Sequence, residues 1–370
     1  MKKFAERKEA QARALNKQQS YRWPGEATKF FKAAEAGDWQ EASNRYTKLL
    51  REYIAFHAPT AKTNSWDKFM MKTYALGSRV GILPINYWPN LRGPQWSPID
   101  EVNGAYAVFQ KWDPDLLLYF ATNIIASIPT NSIYFGGSDE ARYVVSALCK
   151  NQELGEPFFT LTQNRLADPT YRKYLNQMYG KKIHISTDAE SRQAFSDYMT
   201  EVEKRADQGK LKPGENFSSS GGRVRISGMG AMMEINGVMV RQIFDANTNH
   251  EFFIEESWPL DWMYPYLVPH GLILKINRLP LAKLDESTVA ADRAFWEGVV
   301  EKFIGLKISN ETPLGELEKF AEQVYLQKDL RDFKGDKRFA ANEMAQARFG
   351  KLRASIAGVY AWRAQQPGDE

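Results

Sequence analysis

Three places in the chain set chemistry-bearing residues directly after a short apolar run. The first is NSIYFGGSDEAR, Asn131 to Arg142. Here Ile133, Tyr134 and Phe135 stop at Gly136-Gly137, and Ser138, Asp139 and Arg142 follow. Adjacent glycines let a backbone come close to a ligand. The first turn of a helix offers unpaired N–H groups to an anion, and an arginine pairs with phosphate or carboxylate. The same residues serve equally as a helix start, with Ser138 or Asp139 as cap and Arg142 paired to a glutamate. The second place is Gln163, Asn164 and Asp168, after PFFTLT. The third is Glu255-Glu256 after EFFI, with Asp261 and Trp262 close behind. Paired carboxylates suit acid/base work or cation binding; they also suit a turn and a helix cap. Trp258, Trp262, Tyr264 and Tyr266 offer either a stacking platform for a sugar or a packed core corner.

Other signatures are incomplete. Gly228-Met229-Gly230 precedes a helical pattern, but Met233 stands where a dinucleotide fingerprint has its third glycine. His57, His184, His250 and His270 lack metal-ligand spacing. The single cysteine, Cys149, lies in an apolar helical run and reads as a buried thiol, and it allows no internal disulfide. No G-x-S-x-G elbow is present. No catalytic residue, metal or cofactor is therefore assigned.

The net charge of +4 is unevenly spread. Residues 1–22 carry seven basic and two acidic side chains, a net of +5, which leaves −1 for the remainder. A nucleic-acid binder clusters basic residues on its folded surface, so no specific nucleic-acid binding is expected. The basic residues 1–22 read as a flexible arm able to touch an anionic membrane surface. No window reaches the roughly 20 apolar residues of a membrane helix, and no signal-peptide core is present. The sequence as written reads as cytoplasmic, or as periplasmic if it is a fragment of a membrane protein.

Elements that would position these residues follow from periodicity. Residues 23–58 read as one tetratricopeptide-like helical hairpin, broken at Gly37-Asp38, with Ala33, Gly37, Trp39, Ala42, Tyr46 and Leu49 at its seam. Residues 59–114 are rich in proline and aromatics and read as an irregular connection. From Asp115 the pattern alternates. Strands at 132–135, 157–162 and 182–186 are each followed by a helix, at 140–150, 170–179 and 189–205, which argues for parallel strands. Residues 206–222 read as a polar loop. Strands at 223–226, 251–254 and 272–276 and a helix at 231–246 follow. Helices near 286–303, 314–327 and 339–362 close the chain.

The region from about Asp115 to Leu279 resembles the soluble C-terminal region of bacterial membrane glycosyltransferases of the protein O-mannosyltransferase-like kind. The resemblance is carried by IPTNSIYFGGSDEARYV, FFTLTQNRLADPTYRKYL and EFFIEESWPLDWMYPYLVPHGLILKINRLPL. It covers a little under half of the chain. It implies a shared fold and a shared class of partner. Sugar transfer in that family belongs to a membrane part with no counterpart in this sequence, so no catalytic residue carries over.

The expectation is thus an α/β fold. A central mainly parallel sheet of five or six strands with crossover helices fills residues 115–285, with the N-terminal helical hairpin and C-terminal helices (286–370) around it. In such sheets ligands bind beyond the carboxyl ends of the strands. The candidate ligand-binding residues are Gly136, Gly137, Ser138, Asp139, Arg142, Gln163, Asn164, Asp168, Glu255, Glu256, Asp261 and Trp262. The expected role is a non-catalytic binding or accessory module for a glycan, peptide or protein partner. The alternatives are a glycosyltransferase-related or phosphate-ester transferase using Asp139, Glu256 and Arg142, and a structural subunit of a larger assembly.

Overall fold

The computed structural model describes residues 1–18, 23–57, 93–137, 142–149, 157–212, 215–220, 223–227, 229–255, 259–309 and 311–366. The chain forms two compact units, each built from two segments. Unit 1 is Met1–Tyr106 with Thr162–Asn247, and unit 2 is Ala107–Leu161 with Thr248–Glu370.

A five-stranded sheet belongs to unit 2, except for the last residue of one edge strand. Its order is β2-β1-β5-β7-β6. The strands are β1 (Ile133–Gly136), β2 (Phe159–Thr162), β5 (Phe252–Glu255), β6 (Leu267–His270) and β7 (Ile273–Ile276). β1 and β5 are parallel, with Ile133 beside Phe252 and Gly136 beside Glu255. β7 runs antiparallel to both β5 and β6. Backbone bonds from Asn131 to Pro157 and from Phe159 to Ser132 advance together along both chains, so β2 follows the direction of β1. Four strands therefore point one way and β7 the other. Every residue of β1 and β5 is buried, which is why both read as unbroken apolar runs rather than alternating ones. β6 contains Pro269 and lies at the sheet's edge, where a missing N–H is tolerated.

Helices cover this sheet. Asp113 accepts from the Asp115 and Leu116 N–H groups and starts α5 (Pro114–Ser127), with Pro114 in its first turn. Its apolar stripe Leu116, Leu117, Phe120, Ala121, Ile124 is buried. α6 (Arg142–Leu148) follows β1. α10 (Glu286–Phe303), α11 (Leu314–Ala321), α12 (Lys337–Ala341) and α13 (Glu343–Arg363) end the chain. Phe120, Phe303, Phe339 and Phe349 pack ring to ring, with centroids 5.0–5.7 Å apart. Arg363 donates to the carbonyls of Leu281, Pro265 and Leu267 and anchors the last helix on the β6 segment.

Unit 1 is mainly helical. α1 (Lys2–Gln18) packs on the hairpin of α2 (Gly25–Ala36) and α3 (Trp39–His57). Gly37, at φ +78°, ends α2, a backbone state that favours glycine. Asp38 then accepts from the Glu41 N–H to start α3. α4 (Trp96–Lys111) leads into unit 2. α7 (Pro169–Tyr179), α8 (Asp188–Asp207) and α9 (Met229–Ala246) complete the helices. Thr187 and Glu190 form a reciprocal capping box on α8.

Four expectations need correction. Within residues 1–22, expected as a flexible arm, residues 19–22 lie outside the described residues and Lys2–Gln18 is a helix with Phe4, Ala5, Ala12 and Leu15 buried. Its charges hide a 3.6-residue apolar stripe, and Lys8 is itself buried, 2.5 Å from Glu101 and 3.0 Å from the Tyr174 hydroxyl. Residues 182–186 form no strand. The Asn247 side chain accepts from His184 N–H (2.7 Å) and donates to His184 C=O (3.0 Å), taking the place of a neighbouring strand. The end of the expected 206–222 loop is a strand. β3 (Asn216–Ser220) pairs antiparallel with β4 (Arg223–Ser227), and Phe217 and Ile226 face each other and pack on Tyr198, Val202 and Ala231. Within the expected irregular connection, Trp96–Lys111 is helical, and Pro98 fits because a first turn needs no N–H there. Residues 59–92 of that connection lie outside the described residues.

Candidate functional site

In unit 2 the carboxyl ends of β1 and β5 bring four side chains together. Tyr134 is fully buried in the middle of β1, and its hydroxyl donates to Glu255 Oε2 at the end of β5. Glu255 is 4% exposed. Arg142, the first residue of α6, is 2% exposed. Its Nη2 donates to the Tyr143 hydroxyl at 2.7 Å, and its guanidinium lies 4.2 Å from the Tyr143 ring centre. Burial first, then the Glu255 charge, push the Tyr134 phenol well above its ordinary range, while Arg142 opposes the shift. The phenol therefore stays protonated and acts as a donor. Cys149 is also buried, and its thiol donates to the Val145 carbonyl at 3.1 Å, as a back-bonded helical cysteine does.

The glycine turn has a packing reason. A Cβ on Gly136 would stand 2.8 Å from Arg142 Cβ, closer than real Cβ contacts allow. Gly136 thus admits the stem of Arg142 beside the end of β1. Gly137 is buried. Ser138, Asp139 and Glu256 lie outside the described residues. Asp261 is exposed and opens a 3-10 turn that runs to Tyr266. Trp262 packs against Tyr266 at 6.1 Å and Tyr264 against Trp362 at 5.7 Å. Those aromatics are at least partly enclosed: no tryptophan or tyrosine among the described residues is exposed.

In unit 1 the turn after β2 carries a second polar group. Gln163–Arg165 is a 3-10 turn. Arg165 lies 3.5 Å from Asp100 and 3.7 Å from Asp168, and reaches Ser97 Oγ at 3.4 Å. Asp168 caps α7, accepting from the Thr170 N–H (2.8 Å) and hydroxyl (2.7 Å), with Pro169 next. Burial raises the Asp168 carboxyl, and Arg165 opposes that shift. The Tyr171 hydroxyl accepts from the Thr162 N–H at 2.7 Å. Asn236 Oδ1 accepts from the Ala167 N–H at 2.8 Å and holds the end of this turn. Asp168 is therefore a structural cap.

Gln163 lacks a partner at both polar atoms of its side chain, Oε1 and Nε2, although it is only 1% exposed. Asn164 Oδ1 is also buried and unpartnered. Buried polar atoms are nearly always hydrogen-bonded, and an exception calls for an explanation. Of the sequence candidates, Gly136, Arg142 and Glu255 meet in unit 2, and Gln163, Asn164 and Asp168 meet in unit 1. Asp261 and Trp262 belong to a separate turn. Sequence reasoning missed Tyr134 and Arg165 as members of these groups. Tyr134 alone of the β1 run carries a polar atom, and Arg165 lies between two candidates.

Among the described residues no group of three or more His, Cys, Asp or Glu is placed to hold a metal ion, and no helix is long and apolar enough to cross a membrane. Comparison of the chain with protein families, curated proteins and solved structures yields no match.

Proposed function

We propose that the protein is a non-catalytic binding module that takes a glycan, peptide or protein partner at the carboxyl ends of its strands. One observation carries this reading. Among the described residues the ionisable groups at these ends are engaged with one another or with caps, whereas the neutral amide of Gln163 is buried without a partner. Charges locked in such pairs give shape and polarity; proton transfer needs a group poised toward a substrate. A buried, unpaired amide costs stability in the ligand-free protein, which a bound partner would offset. The resemblance to the soluble region of membrane glycosyltransferases keeps a glycan among the partners. We read β1–α6–β2 as a right-handed crossover, the usual hand for such a connection, so both strand ends open toward the helix starts.

The transferase reading has less support, because Arg142 is buried against Tyr143 rather than presented to an anion. The structural-subunit reading takes the basic residues 1–22 and the single helical hairpin as its anchor, and it has less support because residues 2–18 are a packed helix. The test is capture of fluorescently labelled protein on arrays of defined glycans and peptides, repeated with alanine at Asp139, Arg142 and Glu256 after checking that each variant folds. Specific, saturable capture that weakens in these variants is expected. Capture unaffected by all three, or none at all by the unaltered protein, would contradict the proposal.

A further inference from the structure

We infer that the Gln163 carboxamide, with Asn164 Oδ1, is a recognition subsite for the backbone of an extended peptide; this deepens the binding-module reading and rests on it. The unpartnered atoms define the ligand. Gln163 Oε1 and Asn164 Oδ1 ask for two donors, and Gln163 Nε2 for an acceptor. In an extended chain the N–H and C=O of one residue point to the same side, so a primary amide can bond to both at once. A further backbone N–H then serves Asn164.

Charge excludes an anion as the better fit. The cations of this turn are both engaged, Arg165 with Asp100, Asp168 and Ser97, and Arg172 with Asp188, so the turn as a whole carries no surplus positive charge. A sugar is the weaker fit for a second reason. Sugar sites present an open aromatic face, and no tryptophan or tyrosine among the described residues is exposed. Position agrees with both points. Gln163 directly follows Thr162, the last residue of β2, and the ends of strands are where such sheets take their ligands.

The substitution Gln163→Met keeps the length and removes the polar atoms. Full-length protein and this variant are compared on an array of acetylated random-sequence peptides and on an array of neutral oligosaccharides, and both are melted without ligand. The expected result is peptide capture by the unaltered protein, weaker by on the order of tenfold or more in the variant, together with a higher melting temperature. Equal peptide capture by the two proteins overturns the subsite and leaves the binding-module reading standing; a variant that melts lower shows that the amide is already bonded and overturns the subsite together with the observation that carries that reading. Capture of oligosaccharides alone overturns the peptide assignment. Capture of nothing by the unaltered protein overturns both.

Discussion

Tyr134 and Glu255 show how a buried ionisable group is held in this protein. Glu255 is nearly water-free and takes the Tyr134 hydroxyl as donor. Hydrogen bonds to charged groups contribute more than neutral ones, and removing one partner leaves the other buried and unsatisfied. Tyr134→Phe is therefore expected to destabilise the protein by about 2 kcal/mol, read as a lower midpoint in denaturant unfolding with an unchanged slope. Glu26 supplies a pH dependence. The Lys29 ammonium first, then Arg45 and Lys48, hold its carboxyl at about 2 against the opposing effect of burial. A carboxyl depressed in the folded state adds stability above its ordinary range near 4.5, and that stability is lost as pH falls toward about 2. Glu26→Gln should thus lower stability at neutral pH and flatten its fall between those values. An unaltered acid limb would show that these contacts carry no net stability.

At the scale of elements, local chemistry explains both what the sequence made legible and what it concealed. β1 and β5 were legible because strands buried on both faces must be apolar throughout. α8 was legible through Thr187 and Glu190, whose capping box is visible as letters three apart. β6 was concealed by Pro269, which argues against a strand unless the strand is known to be an edge. α1 was concealed because eight of its seventeen residues are charged while its buried face is narrow. The segment 182–186 looked like a strand because Ile183 and Ile185 alternate with polar residues and both are buried. Its backbone partner is a side chain, Asn247, sixty-three residues away from His184, and no local pattern announces such a pairing. Asn247→Ala removes both bonds to His184 and is expected to cost about 1–3 kcal/mol. Amide hydrogen exchange should then quicken at His184 before the rest of unit 1; uniform protection there would contradict the role given to Asn247.

The whole molecule is organised as two units, each of which needs two separate stretches of chain. The chain passes between them within α4 after Tyr106, at the end of β2 after Leu161, and after Asn247. Residues 115–285, which read as one α/β domain in the sequence, include parts of both units and the whole of neither. A fragment of 115–285 lacks α1 to α4 and α10 to α13 and is expected to remain unfolded; a cooperative thermal transition in that fragment would contradict the division. The candidate groups themselves were legible as polar residues after apolar runs. Which of them are satisfied was not, because satisfaction depends on partners such as Asp100 and Ser97 that are more than sixty residues away from Arg165.

The central claim is that Gln163 keeps an unsatisfied amide for a partner, and the unfolding free energy of ligand-free Gln163→Met tests it most directly. Removing polar atoms that have no bonds relieves a desolvation penalty, so the variant should be more stable than the unaltered protein by about 1–3 kcal/mol. A variant that is less stable by a similar amount would show that the amide is already bonded in the ligand-free protein and is part of the scaffold.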